Sequence, residues 1–255
     1  MAIMELLAGS RAGLTLPEIA RDLDLPKSSV HCLLITLERH RYLHRNDRTS
    51  RYLFSSKLFS VANMSLGGLQ LRQVAMPHMH SLAKETGLET HLAVLERYEA
   101  VLLEKVEPPG ASKLAIWVGK RMDLHCTGVG KALLAHLPDE ELARLMRETG
   151  MPRHNDNTIR SLRKLKEALD RSRQAGYYID DEEDEIGYRC IGVPIFDESG
   201  QSTAAISISG STSQVREDNF KELARHVMRT AAAITKGFLE HGANPVRELD
   251  TPRSA

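Results

Sequence analysis

The chain has 255 residues, 42% of them hydrophobic and 27% charged, a size and balance that suit two soluble domains. No apolar run nears the roughly 20 residues of a membrane span, and residues 1–5 lack the basic-then-apolar layout of a signal peptide. Acidic and basic residues number 34 each, and Cys32, Cys126 and Cys190 form no CxxC pair, which excludes a disulfide framework and suits reduced thiols in a cytoplasm.

Ile3, Leu6 and Leu7 recur at helical spacing before the Gly9–Gly13 break. Thr15 followed by Glu18 is a capping-box signature, and Leu16, Ile19, Ala20 and Leu23 make the apolar face of the helix it starts. Asp24-Leu25-Pro26 stops that helix, because proline disfavours helical backbone at the residue before it. A third helix begins at Pro26 or Lys27 with a stripe of Val30, Leu33, Leu34 and Leu37. Tyr42–His44 and Arg51–Phe54 then read as strands of a hairpin whose tip is Arg45–Ser50. Two helices, a tight break, a helix and a hairpin are the order of a winged helix-turn-helix.

Charge supports that reading. Residues 1–60 hold nine Lys/Arg against six Asp/Glu, and from Arg39 to Lys57 six basic residues face only Asp47. With the apolar stripe buried, Lys27, Ser28, Ser29, His31, Cys32, Thr36 and Arg39 fall wholly or partly on the outward face of the third helix. Ser28, Ser29 and His31 suit base edges, Lys27 a phosphate or guanine, and Arg45, Arg48 and Arg51 the DNA backbone or minor groove.

From Ser56 to about Thr86 the pattern is helical with interruptions at Gly67-Gly68 and Pro77, read as a linker helix and the first helix of a second domain. Strands are expected at His91–Glu96, Ala100–Glu107, Lys113–Val118, Tyr177–Ile179, Cys190–Phe196 and Ser202–Ser209. Helices are expected at Gly128–His136, Asp139–Glu148, Ser161–Ala175 and about Ser213–Glu240, with a disordered tail after Gly242. The divisions are 1–55, 56–70, 71–241 and 242–255. Strands and helices mixed without strict alternation indicate an α+β fold with an antiparallel-rich sheet. The acidic run Asp180–Glu185 reads, from Glu183 onward, as a solvated loop.

Three stretches resemble the signatures of the IclR family of bacterial transcription regulators. They are Leu14–Ala20 with Leu25–His31, Thr127–Ala135, and Gly176–Glu183 with Arg189–Pro194; Ala204–Gly210 also fits the family's last sheet strand. The resemblance runs in family order over roughly residues 2–240, although family members carry residues before the first helix and here Met1 falls inside it. It implies a winged helix-turn-helix, a linker helix and a GAF-like α/β effector-binding domain. It also implies a homodimer or dimer of dimers on palindromic double-stranded operator DNA, responsive to a small organic effector, often a carboxylate or aromatic acid. The effector pocket it implies lies under the Gly128-Val129 turn, with Asp180, Cys190, Ser207 and Ser209 as polar groups and Leu114 and Met122 as apolar walls. The chemistry agrees: a turn into a helix at Gly130 presents amides to a carboxylate, and Ser207 and Ser209 share one strand face.

Two other readings compete. One is a thiol enzyme with Cys190 or Cys126 as nucleophile and His125 or His91 as base, for which no local signature exists. The other is a metal site, but His78 and His80 do not face each other on a helix and His125-Cys126 alone cannot complete a tetrahedron. No enzyme activity, metal, cofactor or membrane is therefore expected.

Overall fold

The computed structural model describes residues 2–10, 12–58, 68–110 and 116–240, and the chain divides into two compact units, 1–66 and 67–255. In the first unit helix α1 (Ala2–Ala8) precedes strand β1 (Leu14–Thr15), α2 (Leu16–Asp22), α3 (Lys27–Arg39), β2 (Leu43–Arg45) and β3 (Arg51–Phe54). The capping box forms as expected: Glu18 N donates to Thr15 Oγ1 at 3.4 Å and Thr15 N donates to Glu18 Oε2 at 2.7 Å. Asp24 turns the chain with φ of 51°, a left-handed conformation that Asp tolerates better than most residues. The core of this unit is Ile3, Leu7, Ile19, Ala20, Val30, Leu34, Leu43 and Tyr52.

Two details differ from the sequence reading. Leu33 is 48% exposed, because Val30, Leu34 and Leu37 already fill the contact and Leu33 lies at the edge of their stripe. The wing has a third strand: Leu14 and Thr15 pair antiparallel with Tyr52 and Arg51. Its tip is an Asx turn in which Asn46 Oδ1 accepts from Arg48 N at 3.0 Å and Thr49 N at 3.1 Å.

The second unit opens with α4 (Gly68–Thr86) and β4 (Glu89–Glu96), β5 (Glu99–Val106) and β6 (Arg121–Met122). It continues through α5 (Gly128–Leu134), α6 (Asp139–Thr149), α7 (Leu162–Ala175), β7 (Tyr178–Asp181), β8 (Tyr188–Phe196), β9 (Ser202–Ser211) and α8 (Phe220–Glu240). The strands form one antiparallel sheet in the order β6-β5-β4-β9-β8-β7. One face, carrying Leu92, Ile191, Val193, Ile206 and Ile208, packs on α4 and α8. The other face carries Ala93, Ala205 and Tyr178 under α5, α6 and α7, and beyond them a polar end.

Here too the structure amends the reading. Helix α4 runs through Pro77 without a break, since Leu71, Ala75, Met79 and Leu82 bury one side and offset the single hydrogen bond that proline forfeits. Helix α8 starts at Phe220 rather than near Ser213. Val215 is fully buried, and the side chains of Gln214 and Asn219 accept from Ser211 N and Arg216 N, closing local turns in place of helix. Ile116–Val118 form no strand, and the sheet edge is instead the two-residue β6. Most of the expected linker helix (59–67), residues 113–115 of the expected third strand, and the tail after Gly242 lie outside the described residues.

Candidate functional sites

On α3, Lys27, Ser28, Ser29, His31, Cys32, Thr36 and Arg39 are all exposed. Pro26 gives the helix no side-chain cap, so the amides of its first turn remain open to a phosphate. The hydroxyl of Thr36 is folded back onto Cys32 O at 2.9 Å, which leaves its methyl group outward. In the wing Arg45 and Arg48 are exposed, and Arg45 Nη2 donates to Ser50 Oγ at 3.0 Å. Arg51 is differently placed. Its guanidinium donates to both Glu18 carboxylate oxygens at 3.1 Å and to Gly13 O at 2.6 Å. The sequence reading gave it to DNA; the structure gives it to the joint between wing and α2.

The polar end of the second sheet is built by register. Glu89, Ser209, Cys190 and Asp180 stand in one row across β4, β9, β8 and β7, and His91, Ser207, Gly192 and Tyr178 in the next. A narrow cleft of about 30 Å³, partly open to solvent, is lined there by His91, Ile116, Lys120, Met122, Thr127, Gly128, Val129, Asp180, Cys190 and Ser207, with Asp184, Glu185 and Tyr188 at its acidic side. Of the residues expected to form the pocket, Met122, Gly128, Val129, Asp180, Cys190 and Ser207 meet here. Ser209 is absent from the lining; its hydroxyl is 3.1 Å from Cys190 Sγ. Leu114 lies outside the described residues.

The roof is α5, and it begins at Gly128, the start expected for this helix. Thr127 caps it by accepting from Gly130 N at 3.1 Å, so Gly128 and Val129 are the candidate amide donors. The close approach of α5 to β8 requires glycine at 192, where a Cβ would stand 2.1 Å from Gly128 O.

Electrostatics tune the cleft. Asp180 is 3% exposed, and burial raises its carboxyl to about 7 although Lys131 and the amide of Glu183 favour the ionised form. Glu183 is buried rather than solvated, as the sequence reading had it, and pairs with Lys131, whose Nζ also donates to Ile179 O at 2.7 Å. Asp184 and Glu185 likewise line the cleft. A lone lysine inside the apolar run Gly128–Leu134 was the available signal for a buried acid. Burial drives the thiols of Cys126 and Cys190 up, away from the thiolate that nucleophilic chemistry needs.

A larger cleft of about 590 Å³ lies along α8, lined mainly by apolar groups such as Val193, Phe196, Met228 and Leu239. Size favours it, but the smaller cleft is where polar groups converge, and that decides the choice.

Two family models match: the helix-turn-helix domain of IclR over residues 1–47, and the C-terminal domain of the bacterial transcriptional regulator IclR over residues 63–236. The transcriptional repressor IclR of Escherichia coli K12 is 30% identical over 240 residues, 93% of this chain and 88% of that protein. The transcriptional repressor AllR of Salmonella typhi is 33% identical over 235 residues, 92% and 86% of the two chains. Among solved structures, IclR of Thermotoga maritima superposes with a TM-score of 0.79 at 30% identity, covering 92% of this chain and 94% of its own. An IclR homologue of Microbacterium hydrocarbonoxydans in complex with 4-hydroxybenzoate gives 0.83 at 26% identity, covering 92% and 95%. With its helix-turn-helix unit and its six-stranded sheet under a capped helix both matched, the chain belongs to the IclR family of bacterial transcriptional regulators.

Proposed function

We propose that this regulator, a binding protein rather than an enzyme, holds palindromic operator DNA as a homodimer or dimer of dimers in the cytoplasm and changes that binding when a small organic acid enters the polar cleft. In this reading residues 1–55 read DNA, 56–70 form a linker helix and 71–241 sense the effector. Ser28, Ser29 and His31 meet base edges, while Lys27, Arg39, Arg45 and Arg48 meet phosphates. Arg51 contributes by fixing the wing.

The observation that carries the effector half is the convergence of Ser207, the α5 amides and a protonatable Asp180 in one cleft with Met122 and Val129 as apolar walls. A carboxylate taken from water needs several donors, because leaving it unpartnered costs several kcal/mol. The hydroxyl of Ser207 and the amides of Gly128 and Val129 supply them, and Asp180 adds a donor when protonated. The Microbacterium relative's ligand, 4-hydroxybenzoate, is an acid of this class.

The test is a gel shift on the gene's own upstream DNA, with and without an effector drawn from a panel of small organic acids. Ser207→Ala combined with Ser209→Ala is expected to abolish the effector's influence while basal binding survives. A wild-type response from that double variant would place the effector elsewhere.

A further inference from the structure

The segment leading into α5 meets an irregular loop at a point no effector contact explains. Asp123, Cys126 and His154 each bring one ligand atom there, and these atoms all lie within 4.8 Å of one another. The donor set is a thiol, an imidazole and a carboxylate. We propose that Asp123, Cys126 and His154 form a binding site for a transition-metal ion of the zinc type, separate from the effector cleft and fastened to its wall.

Donor chemistry and geometry both favour this. Thiolate plus imidazole selects zinc and its neighbours over magnesium or calcium, which take oxygen ligands. Tetrahedral zinc with bonds of about 2.0–2.3 Å sets its ligand atoms roughly 3.3–3.6 Å apart. Asp123 Oδ2 and His154 Nε2 are now 2.8 Å apart, joined by a hydrogen bond. Parting them by about half an ångström, with the thiol drawn in, converts the hydrogen-bonded group into three ligands. The fourth position is left to water.

The surroundings are fixed without the ion. His154 N and Asn155 N both donate to Thr158 Oγ1, at 3.2 and 3.0 Å, which holds the loop's shape. Thr158 Oγ1 donates in turn to Glu183 O at 2.8 Å, and Asn155 Nδ2 to Glu182 O at 3.0 Å, tying the loop to the acidic turn of the cleft. On the other side Asp123 O accepts from Thr127 Oγ1 at 2.7 Å, and His125 Nε2 sits 3.0 Å from Pro152 O. An ion has a way in, since the side chains of Asp123 and His154 are 36% and 34% exposed, while Cys126 is fully buried behind them. Binding releases the thiol proton, and the ion's charge compensates the thiolate in a site that burial otherwise makes hostile to it. Because Cys126 adjoins the cap residue Thr127, the ion would brace both the α5 amides and the acidic turn. Spacing hides the site: Asp123 and Cys126 are neighbours, but the histidine arrives 28 residues after the cysteine.

The experiment uses the full chain, freed of metal with a chelator, and titrates cobalt(II) as a spectroscopic stand-in for zinc. One ion per chain is expected, with a thiolate-to-cobalt charge-transfer band that zinc abolishes by displacement. The band should survive Cys32→Ser and Cys190→Ser and vanish in Cys126→Ser; these are all the cysteines of the chain. His154→Ala and Asp123→Asn alter partly exposed side chains, so they test the site even if the buried serine unfolds the protein. Each should weaken cobalt binding at least about tenfold with an unchanged circular dichroism spectrum, comparable to losing a metal-site partner. No charge-transfer band at saturating cobalt, a band that follows Cys190 into the cleft, or full affinity in both solvent-side variants would each overturn the proposal. Effector response is measured separately, so failure here leaves the regulatory reading standing.

Discussion

Asp180→Asn should change how stability depends on pH. The wild-type carboxyl is 3% exposed and raised from 3.8 to about 7. Between those values the native protein keeps a proton that the unfolded chain has released, so stability falls as pH rises through the window. The full shift of about 3 units corresponds to roughly 4 kcal/mol, of which about 2–3 kcal/mol falls between pH 5 and pH 8. An amide does not titrate, and its oxygen can still accept from Glu183 N, as Asp180 Oδ1 does at 2.8 Å. The variant should therefore gain on the wild type as pH rises, by about 2–3 kcal/mol from pH 5 to pH 8. His125, whose titration is lowered, is present in both proteins and largely cancels in the difference, whereas Glu183, whose titration is raised, touches Asp180 and shares in the measured change. Urea unfolding at several pH values measures this, followed by Trp117, the chain's one tryptophan, which lies in the second unit beside cleft residue Ile116. Stabilities that run parallel across the range would refute the assignment of a proton to Asp180.

Four further outcomes follow from the geometry. Arg45→Ala with Arg48→Ala should reduce the log–log salt slope of operator binding by roughly 2, at about 0.9 per lost phosphate contact, and an unchanged slope would remove the wing from the interface. Arg51→Ala should instead leave that slope nearly intact and loosen the wing, seen as faster amide exchange in β3, because its guanidinium is engaged by Glu18 and Gly13. Ser28→Ala, Ser29→Ala or His31→Ala should each relax preference at one operator position by about 1–3 kcal/mol; equal weakening on all sequences would mean α3 is rotated from the expected face. Gly192→Ala should cost about 3 kcal/mol or more by denaturant titration, since a methyl group 2.1 Å from Gly128 O forces α5 off the sheet, and a near-neutral result would contradict that packing.

Signals confined to a few neighbouring residues were legible in the sequence. The Thr15–Glu18 capping box, the Asp24–Pro26 break, the wing tip and the shared strand face of Ser207 and Ser209 all appear as read. What escaped depends on partners distant in the chain. Strand β1 is two residues long and has no periodicity to detect; its cause is β3, more than thirty residues away. Arg51 looked like its basic neighbours until Glu18 claimed it. Glu183 looked like part of a solvated run until Lys131, on a different element, drew it inward. Pro77 marked a break that tertiary burial overrode. For the cleft, the residues supplied by resemblance largely converge, while His91 and Lys120 entered only through the sheet's register and the turn before β6.

Strand β9 divides its own positions between two tasks. Ala204, Ile206 and Ile208 face the helices that hold the domain together, whereas Ala205, Ser207 and Ser209 face the side that meets α5 and the cleft. Because the side-chain period of a strand is two, these sets cannot exchange members without a slip that would reverse the whole sheet. Under the proposed function, ligand preference would be rewritten at 207, with its row neighbour His91 and with Cys190 next to Ser209, on the face opposite the apolar layer. A library confined to those alternate positions would explore new effectors on one scaffold, with an unfolding curve for each variant to separate loss of recognition from loss of folding, since Ser207 and His91 are buried.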